Sequence, residues 1–422
     1  MADDTGFNPK ESSSRTVHGC TPIRDPGKIM SLRPTASLTA LLAAAAALVP
    51  PTPATAADET NNRVSYRFSD YDEDALAAKN VIGDGERYRV LSQQFDLDSK
   101  FAGGAFALKL DATHEVMSGS SPWFVLPDKN GAPVQVLSGA TIRDHRTALN
   151  ATLTQDPGTS TNTTYSASYS SERDYHALAI GAERSQALDQ AWTLGYGGSF
   201  SHDLIEPTDA LANGRIQRAT KNTASAFGSL ALVLDRDSVV QAGMQFNLEH
   251  GYLSDPYKLF ADSDGLVPEQ RPQQRAQAAA LVRWRRAFAE IDASLHLDYR
   301  YAQDSWGVHS HTLDAAWYQS FAGGWRVIPA LRYYSQAAAR FYAPYLVATA
   351  TPQHYSADYR LGTFGAFSTS INVRKTFGHW EFSLGAERYH SAQGLALDGR
   401  DTPVPGLLKF TRAFAGLDFG FD

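Results

Sequence analysis

Between residues 275 and 334 apolar and polar side chains alternate with a period of two, and few folds tolerate that pattern. Ala276, Ala278, Ala280, Val282 and Trp284 fall on one side, with Arg275, Gln277, Ala279, Leu281, Arg283 and Arg285 between them. After a reversal near Ala287 the alternation restarts. Ala289, Ile291, Ala293, Leu295, Leu297 and Tyr299 then oppose Glu290, Asp292, Ser294, His296, Asp298 and Arg300. Period two specifies strand rather than helix. A soluble strand needs about 5 or 6 residues, whereas a tilted strand crossing a bilayer needs about 9 to 11. These runs have membrane length. Ionisable groups at every second position would be costly against lipid, so that face must look into a wet interior. The pattern predicts an all-β fold, a transmembrane antiparallel up-and-down β-barrel in the cell outer membrane.

Targeting features agree with that location. Outside the N-terminal region no run approaches the ~18 consecutive apolar residues of a membrane-spanning helix. The one long apolar run, Leu38 to Val49, follows Arg33 and precedes prolines and Ala54-Thr55-Ala56. It reads as a secretory signal peptide over residues 30–56, with Met30 as its natural start. Residues 1–29 then form a disordered leader from an upstream mis-start, and residues 57–422 form the barrel. The single cysteine, Cys20, lies in that leader, so the mature chain offers no disulfide, thiolate or cysteine metal site. The net charge of −7 comes with no lysine- or arginine-rich run, which leaves nucleic acid without an electrostatic footprint.

Taken in order, the chain predicts about sixteen strands. Short turns follow the even-numbered strands and most other connections are long, as expected of periplasmic turns and outer loops. Within the connection 116–142, Asn130-Gly131 between short apolar runs marks a hairpin. Pro329 interrupts a strand that has no free edge, so a bulge is expected there. Trp192, Trp284, Trp317, Trp325 and Trp380 fall beside short turns as an inner aromatic girdle. Tyr299, Tyr301, Trp306, Tyr333 and Tyr334 would make the outer one. The chain ends with Gly416, Phe419 and Phe421, spaced like the C-terminal signal by which barrel-assembly machinery recognises its clients, although Asp422 follows the last aromatic.

Three segments carry a family resemblance: Gly251-Tyr252-Leu253-Ser254-Asp255-Pro256-Tyr257-Lys258, Arg271-Pro272 with Arg275, and Asp304-Ser305-Trp306-Gly307-Val308-His309-Ser310-His311-Thr312. They resemble landmarks of a bacterial domain-of-unknown-function family regarded as outer-membrane barrels and often encoded beside a flavin transferase and a thioredoxin-like protein. The resemblance implies fold and location, and periplasmic redox proteins as partners alongside outer-membrane lipid and the assembly machinery. It implies no activity and no cofactor.

Four places in the chain hold residue types that could carry chemistry. His309 and His311 point the same way on a strand and could share a metal, but the reading preferred is that both sit at the outer girdle, hydrogen-bonded to water or loop backbone. Asp262, Asp264, Asp255 and Glu269 offer oxygen ligands without the spacing of a full calcium loop. Ser201-His202-Asp203 and Ser310-His311 contain triad residue types, yet neighbours on a strand face opposite ways and no Gly-x-Ser-x-Gly elbow is present. Neither a metal site nor an enzyme is expected. The remaining candidates are interior charges: Arg275, Arg283, Arg285 and Arg300 against Glu290, Asp292, Asp298, Glu249, Glu381 and Glu387. Lining a pore, they would impose a transverse field on polar solutes; paired off, they would fill it. The sequence therefore predicts a passive pore or a component of an extracytoplasmic transport or redox system, against a closed barrel whose long loops bind a partner or ligand.

Overall fold

The computed structural model describes residues 62–83, 85–138, 142–263, 265–346, 352–398 and 402–422. The leader, the signal-peptide segment and Cys20 lie outside the described residues. Sixteen strands form one closed ring. In chain order they are β1 (Asn62–Glu73), β2 (Arg89–Phe101), β3 (Phe106–Gly119), β4 (Ile142–Gln155), β5 (Thr161–Ser171), β6 (Tyr175–Ala187), β7 (Trp192–Ile205) and β8 (Ala219–Asp235). The second half comprises β9 (Ser238–Gly251), β10 (Gln274–Phe288), β11 (Ala293–Asp304), β12 (His309–Phe321), β13 (Trp325–Gln336), β14 (Phe364–Phe377), β15 (Trp380–Ala392) and β16 (Lys409–Phe421). Each pairs antiparallel with the next, and β1 closes the ring by pairing with both β2 and β16. Closure removes every strand edge, which is what lets a sheet live in lipid.

Side-chain exposure shows which face meets lipid. On β9, Met244, Phe246 and Leu248 are 54%, 51% and 61% exposed, while Gln245, Asn247 and Glu249 between them are 8%, 6% and 7% exposed. A water-soluble protein would bury the first set. The same holds around the ring, with Phe95, Ile180, Val282, Phe382 and Leu384 outward. The protein is thus an outer-membrane barrel with an apolar skin and a polar interior.

Seven inner turns are short, two to five residues, and β1 begins and β16 ends on their side of the ring. Trp192, Trp284, Trp317, Trp325 and Trp380 all lie within five residues of these turns, with Trp380 against Phe419 at 4.5 Å and Trp317 against Phe288 at 5.4 Å. The outer girdle differs from expectation in two members. Trp306 is buried among loop residues, and Tyr334 shares the inward face with Thr312 and Arg300.

Pro329 produces no bulge. Its pairing to Ile371 is regular, and on the other side the ladder passes from Ala316↔Ala330 to Gln319↔Val327 without a register shift. The missing donor costs pairing positions, not alignment.

Inside, packing is tight enough to require glycine in places. A Cβ added at Gly385 on β15 would stand 2.2 Å from the Phe414 ring and 2.7 Å from the Ile371 carbonyl. Gly385→Ala is expected to cost about 1–3 kcal/mol through overpacking, read as a lower urea midpoint for unfolding from lipid vesicles.

Candidate functional site: lumen and outer cap

The interior charges pair across neighbouring strands. Arg275 on β10 donates to Asp304 on β11 from Nε at 2.8 Å and stacks on the Trp306 ring at 4.5 Å; Glu249 of β9 stands opposite Arg275 in the ladder. Asp298 sits between Arg285, which donates to it, and Arg283 at 3.5 Å. Glu381 accepts from Arg374 at 3.2 Å, and Glu387 binds Arg412 at 2.6 Å and Ser368. Arg300 faces Thr312 across the ladder.

Two of the proposed lumen residues are elsewhere. Glu290 and Asp292 lie in the inner turn between β10 and β11, both exposed, with Asp292 in the left-handed conformation at φ 50°. The alternation of Ala289 and Ile291 carries the period through a turn that forms no strand. At the C-terminus Gly416 faces inward, where a Cβ would meet the Ser383 hydroxyl at 2.5 Å, while Phe419 stacks outside on Trp380 and Phe421.

The lumen has two chemically distinct sides. Toward β4–β8 a cavity of about 580 Å³ is lined by hydroxyls such as Thr152, Ser166, Ser199 and Ser225. Toward β10–β16 a cavity of about 300 Å³ is lined by Arg285, Asp298, Asp314, Arg332, Glu387 and Arg412, and one of about 230 Å³ by Arg67, Arg374, Arg412 and Asp418. Hydroxyls predominate in the first cavity, beside Lys109, Asp111 and Glu183, and paired ions in the other two.

Over the outer mouth the long connections fold into a cap. Residues 120–138, 252–263 with 265–273, and 337–346 with 352–363 follow β3, β9 and β13, so their roots stand six, four and six strands apart around sixteen. Loops rooted at three such points can touch only over the middle. They do: Val125 of the first, Phe260 of the second, and Tyr355 and Ala357 of the third share one buried cluster, with Val125 and Phe260 0% exposed. The second loop carries a small sheet of its own, Leu259–Asp262 with Gly265–Pro268, while the first gives Pro122–Pro127 and Pro133–Leu137, about the Asn130-Gly131 turn, to a three-stranded sheet with Val81–Ile82 from the connection after β1. A second apolar cluster, built on Trp306, Tyr342, Leu361 and Val404, fixes the cap to the connections 305–308 and 393–408.

A buried ionic group locks these loops. Arg271 donates from Nη2 to Asp358 at 2.8 Å and to Glu269 at 3.2 Å. Glu269 also accepts from Ser356 Oγ at 2.5 Å, and Asp358 accepts from Arg360 Nε at 2.8 Å. Lys258 Nζ reaches the Pro122 carbonyl at 3.0 Å, which brings in the first loop. Burial alone would raise the Asp358 carboxyl, but Arg360, Lys258 and Arg271 together hold it well below the usual carboxylate range. Burial pushes Glu269 upward; Arg271 opposes this and the nearby Asp255 and Asp358 add to it. Beneath the group lies a pocket of about 110 Å³ lined by Tyr252, Tyr257, Lys221, Arg275 and Trp306.

Among the described residues Asp144, Glu172 and Asp174 bring three buried carboxylates within 4.8 Å of one another at the outer rim. Arg146 at 4.0 Å from Glu172 and the Tyr257 hydroxyl on Asp174 answer them with protein groups. Asp262 spends an oxygen on the Gly265 amide at 3.0 Å, and Asp264 lies outside the described residues. His309 and His311 share the outward face as expected, but each is engaged separately, by Asp398 and by the Tyr299 hydroxyl at 2.7 Å.

The cap lock was not legible, because its members come from connections without periodicity. The partners Asp304, Arg374 and Arg412 were missed because register alone sets which charges meet.

A sequence model of a family described as protein of unknown function, DUF3570, matches residues 35–404. None of the curated proteins matches the chain. Among solved structures, a bacterial polysaccharide outer membrane secretin is similar with TM-score 0.46 and 11% identity, over 86% of this chain and 100% of its own. CdiB from Acinetobacter baumannii gives 0.47 and 8%, over 85% of this chain and 60% of its own. OpdQ from Pseudomonas aeruginosa gives 0.39 and 8%, over 86% and 99%. Likeness at this level transfers no activity.

Proposed function

Since the chain belongs to the DUF3570 family of proteins of unknown function, its relatives supply no activity, and we propose from the geometry that it is a gated outer-membrane channel for small polar solutes. At rest the outer mouth is shut by the cap, and displacement of the cap exposes the hydroxyl-and-ion lumen. The observation that carries this reading is the cluster of Val125, Phe260, Tyr355 and Ala357, drawn from three loops rooted far apart on the ring. A sixteen-strand ring is wide enough to hold water unless something fills it. The cap lies at the mouth, while cavities remain below it.

The test is single-channel recording in a planar bilayer. The natural chain is expected to be silent or nearly so. A Val125→Ala, Phe260→Ala chain loses about 3–5 kcal/mol of packing at the phenylalanine alone and is expected to show stable ohmic steps. Full-size steps from the natural chain would mean an open mouth. Silence from a correctly folded variant would mean a lumen that does not conduct, and either result removes the proposal.

A further inference from the structure

The outer rim of the barrel carries a ring of histidines that neither the lumen nor the cap uses. His114, His145, His202, His250 and His390 are exposed on the outward face, on β3, β4, β7, β9 and β15. His176, His309 and His311, partly covered, extend the ring onto β6 and β12. Each lies within five residues of the outer end of its strand. Eight of the chain's twelve histidines therefore lie near the outer ends of their strands, facing away from the lumen.

These strand ends adjoin the top of the apolar skin. The next outward residue below His202 is Phe200 and below His250 is Leu248, both exposed members of the apolar skin. Several rings are anchored to the wall through one nitrogen. Nδ1 of His114 meets Thr147 Oγ1 at 3.1 Å, that of His202 meets Asn222 Oδ1 at 2.8 Å, and that of His176 meets Ser171 Oγ at 3.1 Å. Nε2, on the far side of the ring, is left to point at the surroundings. Two carboxylates on this rim are held by arginines, Asp70 by Arg89 and Asp74 by Arg388 beside His390, and Asp398 takes His309. Exposed Arg143, and Lys409 in register with His390, add positive charge.

We propose that this belt binds phosphomonoester headgroups of the outer leaflet, and does so when its imidazoles are protonated. Histidine is the residue type whose charge changes in the range between about pH 5 and about pH 8, and a cation at the lipid surface attracts anionic headgroups. The occupant is a lipid, because the belt adjoins acyl-chain depth rather than open water.

The full chain in phosphatidylcholine vesicles, with spin-labelled phosphatidic acid as probe, tests this through the motionally restricted lipid fraction. Preference for phosphatidic acid over phosphatidylcholine is expected to fall about fivefold between about pH 5.5 and about pH 8. The phosphomonoester only gains charge over that range, with a second pKa of about 6, so a fall must come from the protein. A His114→Gln, His145→Gln, His202→Gln, His250→Gln chain is expected to lose the pH dependence. A His202→Lys, His250→Lys chain is expected to retain the lipid at both pH values. Equal preference at both pH values in the natural chain, a fall that persists in the glutamine chain, or displacement of the probe by inorganic phosphate would each overturn the proposal.

Discussion

Replacing Asp358 with asparagine is expected to release the cap. In the full chain folded into lipid vesicles, amide exchange at Phe260 and Tyr355 should quicken roughly a hundredfold or more, since removing one partner of a buried ionic group costs about 3–5 kcal/mol. Arg271, Arg360 and Lys258 would then face one another around a neutral amide. Acid acts on the same group in two opposed ways. Asp358 is depressed, so its contribution is present above its ordinary value of 3.8 and is lost only as pH falls through its much lower folded value. Glu269 is raised from 4.5, so its ionisation opposes the cap and protonation relieves that cost as pH falls from neutrality. The cap is therefore expected to hold in mild acid and to give way well below pH 3.8. Exchange that accelerates between neutrality and pH 4.5 would contradict the Glu269 assignment.

Leu384→Arg is expected to be the most damaging change on the membrane face. Leu384 is 66% exposed on the outside of β15, between the inner-girdle Trp380 and the outer residues Arg388 and His390. An arginine at that depth costs about 2–4 kcal/mol. Ser370→Arg on β14 introduces the same side chain into the charged cavity beside Glu387; a change facing water costs within about 0.5 kcal/mol. Reversible urea unfolding from lipid vesicles measures both. Equal losses, or a greater loss at Ser370, would mean that the faces have been assigned the wrong way round.

What could be read from the sequence followed from periodicity. Met244, Phe246 and Leu248 against Gln245, Asn247 and Glu249 announce both strand and facing, because a pleated backbone has no other way to satisfy them. The Asn130-Gly131 hairpin was legible for a different reason, its turn chemistry. Where alternation continued past a strand, the sequence misled. Tyr355, Ala357, Tyr359 and Leu361 alternate like the strand they lead into, yet β14 starts only at Phe364 and these residues build the cap. Glu290 and Asp292 belong to the same class of error. The site itself was hidden, since Lys258, Glu269, Arg271 and Asp358 meet only after the ring has closed and set the loop roots.

The cap's crossing of the mouth is tested most directly by a distance. The Tyr345 hydroxyl binds the Gly131 carbonyl, although their loops leave the ring after β13 and β3, six strands apart. Spin labels at positions 131 and 345 of the full chain in lipid should report a single short, narrow distance distribution. A broad distribution centred near the separation of the two loop roots would show that the loops stand apart and that no cap spans the lumen.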